Sequence, residues 1–163
     1  MALAPPTLPP TDTLRDAHIE LRLLRVLGPA DADARPPETR FLAGAPEYRF
    51  AIHRRSDGAR VGRIHLRITD DPAIVHVLGH SGYEVEEQYR RMGYAARAVV
   101  LIRQVARAFG VAPLWILIAP ENEASRRTVE RAGLHLVDIV PASPVAVSLE
   151  LGPELCRYVV EQP

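Results

Sequence analysis

The sequence predicts an α/β domain with a mixed sheet and two main crossover helices. Alternating apolar and polar residues at both ends of the chain read as strands. Helical periodicity takes over from Tyr94 to Phe109. A wholly apolar pentad, Leu114–Ile118, follows that helix and precedes a second one.

Residues 1–17 hold several prolines and read as a mobile lead-in to one domain spanning 18–163. Ile19–Val26 alternates well enough for a first strand. Gly28–Pro46 is broken by Gly and Pro and has room for a short helix at most, over the substrate side. Tyr48–Arg54 and Arg60–Ile68 flank the turn signal Ser56-Asp57-Gly58 and predict a hairpin. Thr69-Asp70-Asp71-Pro72 breaks this pattern. Ile74–Leu78 and Gly79–Val85 read as the next extended region, kinked at Gly79 or Gly82.

Ala95, Ala98, Val99, Ile102, Val105, Ala106 and Phe109 then recur at helical spacing, with Gly110 as the stop. Leu114–Ile118 is expected to be covered on both faces. A second helix starts at Glu121 or Asn122 and ends at Gly133. Leu134–Val140 is a strand, Val145–Leu151 is extended between prolines, and Leu155–Val160 is the last strand.

Composition narrows the function. The chain has 163 residues, 47% hydrophobic and 25% charged, with a formal net charge of +0. No nucleic-acid or membrane partner is implied. All 20 basic residues are Arg, which excludes Schiff-base or Walker-type chemistry that needs a lysine. The single cysteine, Cys156, makes no internal disulfide and reads as buried filler. The six histidines lack ligand spacing such as H-E-x-x-H, so no metal is expected. No apolar run has transmembrane length and no signal pattern opens the chain, so a cytoplasmic setting is the default.

The segment Arg90-Arg91-Met92-Gly93-Tyr94-Ala95 lies between strand and helix. A helix N-terminus offers unpaired N–H groups and a partial positive charge, which suits an anion. Gly93 lets backbone approach a ligand, Ala95 keeps the next contact small, and Arg90 and Arg91 add charge-assisted donors. Taken alone, this loop serves equally well as a simple strand-to-helix turn.

Its surroundings carry a resemblance. Gly79-His80-Ser81-Gly82-Tyr83-Glu84-Val85 followed by Tyr89–Ala95 resembles motif A of the GNAT superfamily of N-acyltransferases, [Q/R]-x-x-G-x-[G/A] after a strand. Asn122 and Ser125, with Glu130 to Leu134, resemble the N-x-x-S…E-x-x-G-[F/L] motif of the RimJ/RimL-like branch, as does Val61–Arg67 its third strand. The resemblance implies a splayed central sheet with two main helices packed on it. It implies acetyl-CoA as donor, held in a V-shaped gap between two parallel strands, here Gly79–Val85 and Leu114–Ile118. Tyr83 and Val85 would pair with the pantetheine arm through their backbone. Arg90, Arg91, Met92, Gly93, Tyr94, Ala95 and Ala96 would hold the pyrophosphate, and Asn122 and Ser125 would line the arm.

The implied reaction is direct attack of a primary amine on the acetyl thioester. The acceptor would be a small molecule or a protein N-terminus, and the protein a monomer or homodimer. His80 and Glu84 share the strand before the loop, where the family often places a base. Their even numbering puts them on one face. The tyrosine acid common in the family is missing between Asn122 and Val140, which leaves Ser125, Tyr158 or water to protonate the thiolate. Asp31, Asp33 and Glu38 lie in the segment between the first two strands, which serves equally well to attract an amine or as a solvated loop. A non-catalytic acyl-CoA-binding domain, or an assembly partner pairing through a strand edge, stays open at this point.

Overall fold

The computed structural model describes residues 7–10 and 14–160. Two antiparallel sheets form its frame. β1 (Ile19–Leu27), β2 (Glu47–Arg54), β3 (Arg60–Arg67) and β4 (Ser81–Val85) lie side by side in chain order; β5 (Leu114–Ile118), β7 (Glu154–Val160) and β6 (His135–Pro141) make the second sheet, with β7 central. One face of this first sheet is buried throughout its centre, where Phe50, Ile52, Ile64 and Leu66 retain 1% or less of their surface, and β2 is covered on its other face as well at Glu47 and Ala51.

Helix α2 (Tyr94–Ala108) lies on the first sheet and buries Ala98, Val99, Ile102, Val105 and Ala106 of the stripe its periodicity predicts, together with Leu101, while Ala95 at its start is only half-buried. Each fully buried Val, Leu or Ile of this kind contributes about 1.5–3 kcal/mol. One core cluster joins this stripe to Ile116 and Tyr158 of the second sheet.

The two sheets touch where β4 begins. Gly79 makes an isolated antiparallel bridge to Ile116, and the His80 N–H donates to the Trp115 carbonyl at 2.8 Å. Beyond this point β4 pairs with β3 and β5 with β7 among the described residues. The expected gap is there, but what closes it is a single bridge rather than a parallel ladder. Gly79 is needed at this contact: its φ is +74°, and a Cβ would stand 3.0 Å from the Trp115 carbonyl oxygen.

The structure differs from the sequence expectation in four places. Pro72–Leu78 and Pro144–Ser148 are helices, α1 and α4, where extended chain was expected. Both open with a capping side chain, Asp71 or Ser143, followed by Pro at the first helical position. That pair favours helix initiation over a break. β5 is covered alternately: Leu114, Ile116 and Ile118 are buried, while Trp115 and Leu117 are half-open. The lead-in is not wholly loose. Leu8 and Leu14 pack on the core, and Asp16 accepts hydrogen bonds from the N–H groups of His18 and Ile19. The rest of that lead-in, residues 1–6 and 11–13, lies outside the described residues. Between β1 and β2 two short 3-10 segments, Pro29–Ala34 and Pro37–Gly44, replace any regular helix.

α3 (Glu123–Arg131) is amphipathic and capped by Asn122, whose side chain accepts from the Ser125 N–H. It lies beside α2, across the gap from β4. No helix among the described residues is long and apolar enough to cross a membrane.

Candidate active site

Two clefts meet at Tyr83 and Glu84, which line both. The first, about 1070 Å³, runs from the edge of β4 past the start of α2 to α3. Every donor contact expected from the sequence except Met92 lines it: Tyr83, Val85, Arg90, Arg91, Gly93, Tyr94, Ala95, Ala96, Asn122 and Ser125. The Met92 side chain is exposed instead.

The start of α2 has no side-chain cap and no acidic residue in its first turn. Its leading N–H groups and its positive dipole end are left for an anion. The loop before it is wound tightly. Gly93 has φ +80° and Arg91 φ +63°. A Cβ on Gly93 would meet nothing within 4 Å. Glycine is therefore required here for the left-handed turn, and the space its missing Cβ leaves is open. Arg54 clips the loop to the β2–β3 hairpin: it pairs with Asp57, reaches the Tyr94 hydroxyl at 3.4 Å and lies 5.2 Å over the Tyr89 ring.

Arg90 spends its Nε on the Val85 carbonyl at 3.0 Å, fastening the loop to the end of β4. Arg127 and Arg131 of α3 face the same cleft. Sequence reading missed both; their four-residue spacing after Asn122 was the available signal. The Asn122 side-chain Oδ1 is used as the α3 cap, and the Tyr83 hydroxyl donates to the Ser125 backbone carbonyl at 3.0 Å. Burial pushes that hydroxyl up to about 12, so it stays protonated.

The second cleft, about 910 Å³, lies under the 3-10 segments. Leu42, Phe50, Ile64 and Leu117 give it apolar walls, and Arg35, Glu47 and Arg67 a charged floor beside His65. Asp31 lines it but is already engaged: it pairs with Arg25 at 2.7 Å and accepts from the Gly28 N–H.

The chain's residues 21–135 match the model of the acetyltransferase (GNAT) domain. The chain belongs to the GNAT acetyltransferase family. It is accordingly an acyltransferase. Among solved structures, it is similar to the GNAT-family acetyltransferase from Bacillus anthracis, at 16% identity and TM-score 0.63, covering 91% of this chain and 97% of that one. It is similar to the ribosomal-protein-S5-alanine acetyltransferase from Vibrio fischeri, at 15% identity and TM-score 0.58, covering 91% and 98%. It is also similar to the microcin C7 self-immunity acetyltransferase MccE in complex with acetyl-CoA and AMP, at 16% identity and TM-score 0.55, covering 71% and 61%. At these identities the likeness is one of fold. No curated protein matches the chain.

In this GNAT frame the expected catalytic side chains separate. His80 is buried with both ring nitrogens occupied: Nδ1 accepts from the Trp115 N–H at 2.9 Å, and Nε2 meets the Thr69 carbonyl at 3.0 Å. The proton therefore sits on Nε2, and burial lowers the pKa further. His80 bolts β4 to β5 and has no free nitrogen to accept a proton from an amine. It lines neither cleft, whereas Glu84 lines both.

Glu84 is exposed at the junction of the clefts. Arg63 holds one of its oxygens, Oε2, through Nε at 3.0 Å and Nη2 at 2.6 Å. Ser125 stands in the first turn of α3, on the first cleft. Tyr158 is buried elsewhere: its hydroxyl donates to Glu130 at 2.9 Å and accepts from Arg126 at 3.0 Å, and it lines neither cleft. Cys156 is buried, and burial raises its thiol pKa. Among the described residues no cluster of metal-ligating side chains occurs.

Proposed function

We propose that the chain transfers an acetyl group from acetyl-CoA to a primary amine by direct attack. The observation that carries this reading is the uncapped, acid-free start of the 15-residue helix α2, opening into a cleft that meets a second cleft at Glu84. The first cleft suits a long diphosphate-bearing donor and the second a smaller acceptor. A donor of this kind also agrees with the cytoplasmic setting expected from the sequence, and the ribosomal-protein neighbour with a RimJ/RimL-like branch.

The residues present fit coenzyme A. Gly93, Tyr94, Ala95 and Ala96 line the cleft mouth beside Arg91, and the leading N–H groups of α2 have no side-chain cap. β4 is an edge strand, so its outer backbone edge is available to the amides of the pantetheine arm. Asn122 and Ser125 flank the arm on the opposite wall. Bound acetyl-CoA supplies the acyl carbon as a thioester.

Glu84 receives the proton from the attacking amine, directly or through one water, with Oε1 as the oxygen Arg63 leaves unused. The amine nitrogen bonds to the acyl carbon as the carbon–sulfur bond breaks. Backbone N–H groups of β4 stabilise the oxyanion, and the thiolate takes a proton from the Ser125 hydroxyl or from water.

Acetyl-CoA is expected to raise the melting temperature, and amines to release free thiol from it. No stabilisation would refute the donor site. Stabilisation without thiol release across amines of every charge type would establish the non-catalytic, acyl-CoA-binding alternative instead.

A further inference from the structure

The floor of the second cleft has more positive charge than it neutralises. Glu47, buried at the start of β2, gives Oε1 to Arg49 at 2.8 Å and Oε2 to Arg67 at 3.1 Å, with Arg35 Nη1 at 3.7 Å from the same Oε2. The Arg67 and Arg35 side chains retain 11% and 7% of their surface. Two guanidinium groups with little access to water thus share one carboxylate. The other acids lining the cleft have arginine partners of their own, Asp31 with Arg25 and Glu84 with Arg63.

Arg35 is the group left short. Its Nε and Nη2 are buried without a hydrogen-bond partner. These two nitrogens form one edge of the guanidinium plane, the edge that grips a carboxylate through two parallel N–H···O bonds. A buried cation with two unmet donors is unfavourable unless an anion reaches it.

His65 Nε2, on the same cleft, is likewise buried without a partner. Burial and the Arg67 charge hold its pKa at about 3, so the ring is neutral. Gly82 faces it across the β3–β4 ladder, where a Cβ would lie 2.7 Å from His65 Cε1. The ring is therefore seated against bare β4 backbone, in the strand that leads to Glu84.

We propose that Arg35 forms the anion subsite of the acceptor cleft, so that, on the acetyltransferase reading above, the acceptor is an amine that also carries a carboxylate. The carboxylate pairs with the Nε–Nη2 edge of Arg35, and the neutral His65 offers a further polar contact nearby. A free amino acid supplies this group from its α-carbon, and a peptide supplies it from an acidic side chain close to its N-terminus.

The test is thiol release from acetyl-CoA with matched acceptors. Each amino acid is set against its decarboxylated amine, spermidine stands for polycations, and C-terminally amidated dipeptides with and without an acidic side chain separate the two carboxylate sources. Carboxylate-bearing acceptors should exceed their uncharged or cationic partners by tenfold or more in kcat/KM. In Arg35→Met that preference should vanish through KM, with stabilisation by acetyl-CoA retained as evidence of fold and donor site. Arg35→Lys, which keeps charge but loses the two-point edge, should recover only part of it. Equal or better activity with decarboxylated amines, or a preference that survives Arg35→Met, overturns the subsite. If Arg35→Met does not fold, the wild-type acceptor pairs and Arg35→Lys still decide. Failure of acetyl-CoA to stabilise the wild type would overturn the donor reading, whereas stabilisation with no carboxylate preference overturns the subsite alone.

Discussion

The donor cleft presents mainly backbone: the N–H groups at the start of α2, the outer edge of β4 and the capped turn of α3, with arginines at its rim. The acceptor cleft presents side chains from separate elements, with Arg35 before the second 3-10 segment, Glu47 on β2, His65 and Arg67 on β3 and Gly82 on β4. Atoms of the first kind come from helix and strand geometry and need few particular side chains. Atoms of the second kind exist only if every partner is in place. The donor cleft should therefore tolerate side-chain loss and be sensitive to backbone conformation, and the acceptor cleft the reverse.

The largest effect should come from Glu47→Ala. It leaves Arg67 and Arg35 buried without their shared carboxylate. Breaking a buried ion pair from one side costs about 3–5 kcal/mol, to be read by denaturant unfolding. A loss under about 1 kcal/mol would mean that water reaches the cluster and that the contrast between the clefts is weaker than drawn.

Next comes Glu84→Gln, at the seam between the clefts. As general base its loss should lower kcat about a hundredfold, near 2.7 kcal/mol of barrier, with acetyl-CoA binding unchanged. Stability should move by less than about 0.5 kcal/mol, since the Arg63–Glu84 pair is exposed. A kcat within threefold of wild type would remove Glu84 from the mechanism.

Gly93→Val tests the backbone half of the comparison. The pocket side has room for the new atoms, yet a β-branched residue at φ +80° costs about 1–3 kcal/mol. The loop relaxes by turning its N–H groups away. Donor affinity measured by calorimetry should fall at least about tenfold, and undiminished affinity would show that the arginines, not the backbone, hold the diphosphate.

Acid should weaken the fold through the histidines. His65 is held at about 3 against 6.5 for a free ring, and His80 is lowered too, both chiefly by burial. Above pH 6.5 both are neutral in folded and unfolded chains. As pH falls from 6.5 toward 3 the unfolded chain binds protons that the folded chain refuses, so stability drops, by up to about 1.4 kcal/mol per pH unit for each ring. Glu47 acts in the same direction at lower pH, because its lowered pKa favours the ionised fold. Unfolding at pH 7.5, 6 and 5 measures the slope, and His65→Gln should flatten it; an unchanged slope would locate the titration elsewhere.

The same contrast explains what was legible in the sequence. The donor cleft draws on two short contiguous stretches, Tyr83–Ala96 and Asn122–Arg131, so a helix start, a glycine and a capping asparagine were visible as neighbours. The acceptor floor is assembled by strand register. Glu47 meets Arg67 because β2 and β3 pair there, and His65 faces Gly82 through the β3–β4 ladder. No spacing in the chain announces either contact. His80 was misread for a related reason: from sequence it is a titratable side chain near a phosphate loop, and only the approach of Trp115 reveals that both nitrogens are taken. Strands and α2 were read from periodicity and α3 from its start and stop residues, whereas α1 and α4 are too short to show a period and were taken as extended; Asp71-Pro72 and Ser143-Pro144 were the signals available for them.

The smallest expected effect lies at the donor rim. Arg127 is exposed and pairs with Glu123 one turn away, and Arg131 is exposed on the next turn. Both line the cleft opposite the α2 N-terminus, where the 3′-phosphate end of coenzyme A would emerge. Water and salt screen such contacts, so each arginine should be worth about a two- to fivefold change in affinity. Calorimetry of coenzyme A and dephospho-coenzyme A isolates the effect, since the two ligands differ only in that phosphate. Wild type should favour coenzyme A at low salt, and the double variant Arg127→Gln, Arg131→Gln should bind both ligands alike. A preference undiminished in the variant would assign the 3′-phosphate to Arg90 or Arg91. The rim would then belong with the backbone-built loop, leaving α3 to contribute Asn122 and Ser125 alone.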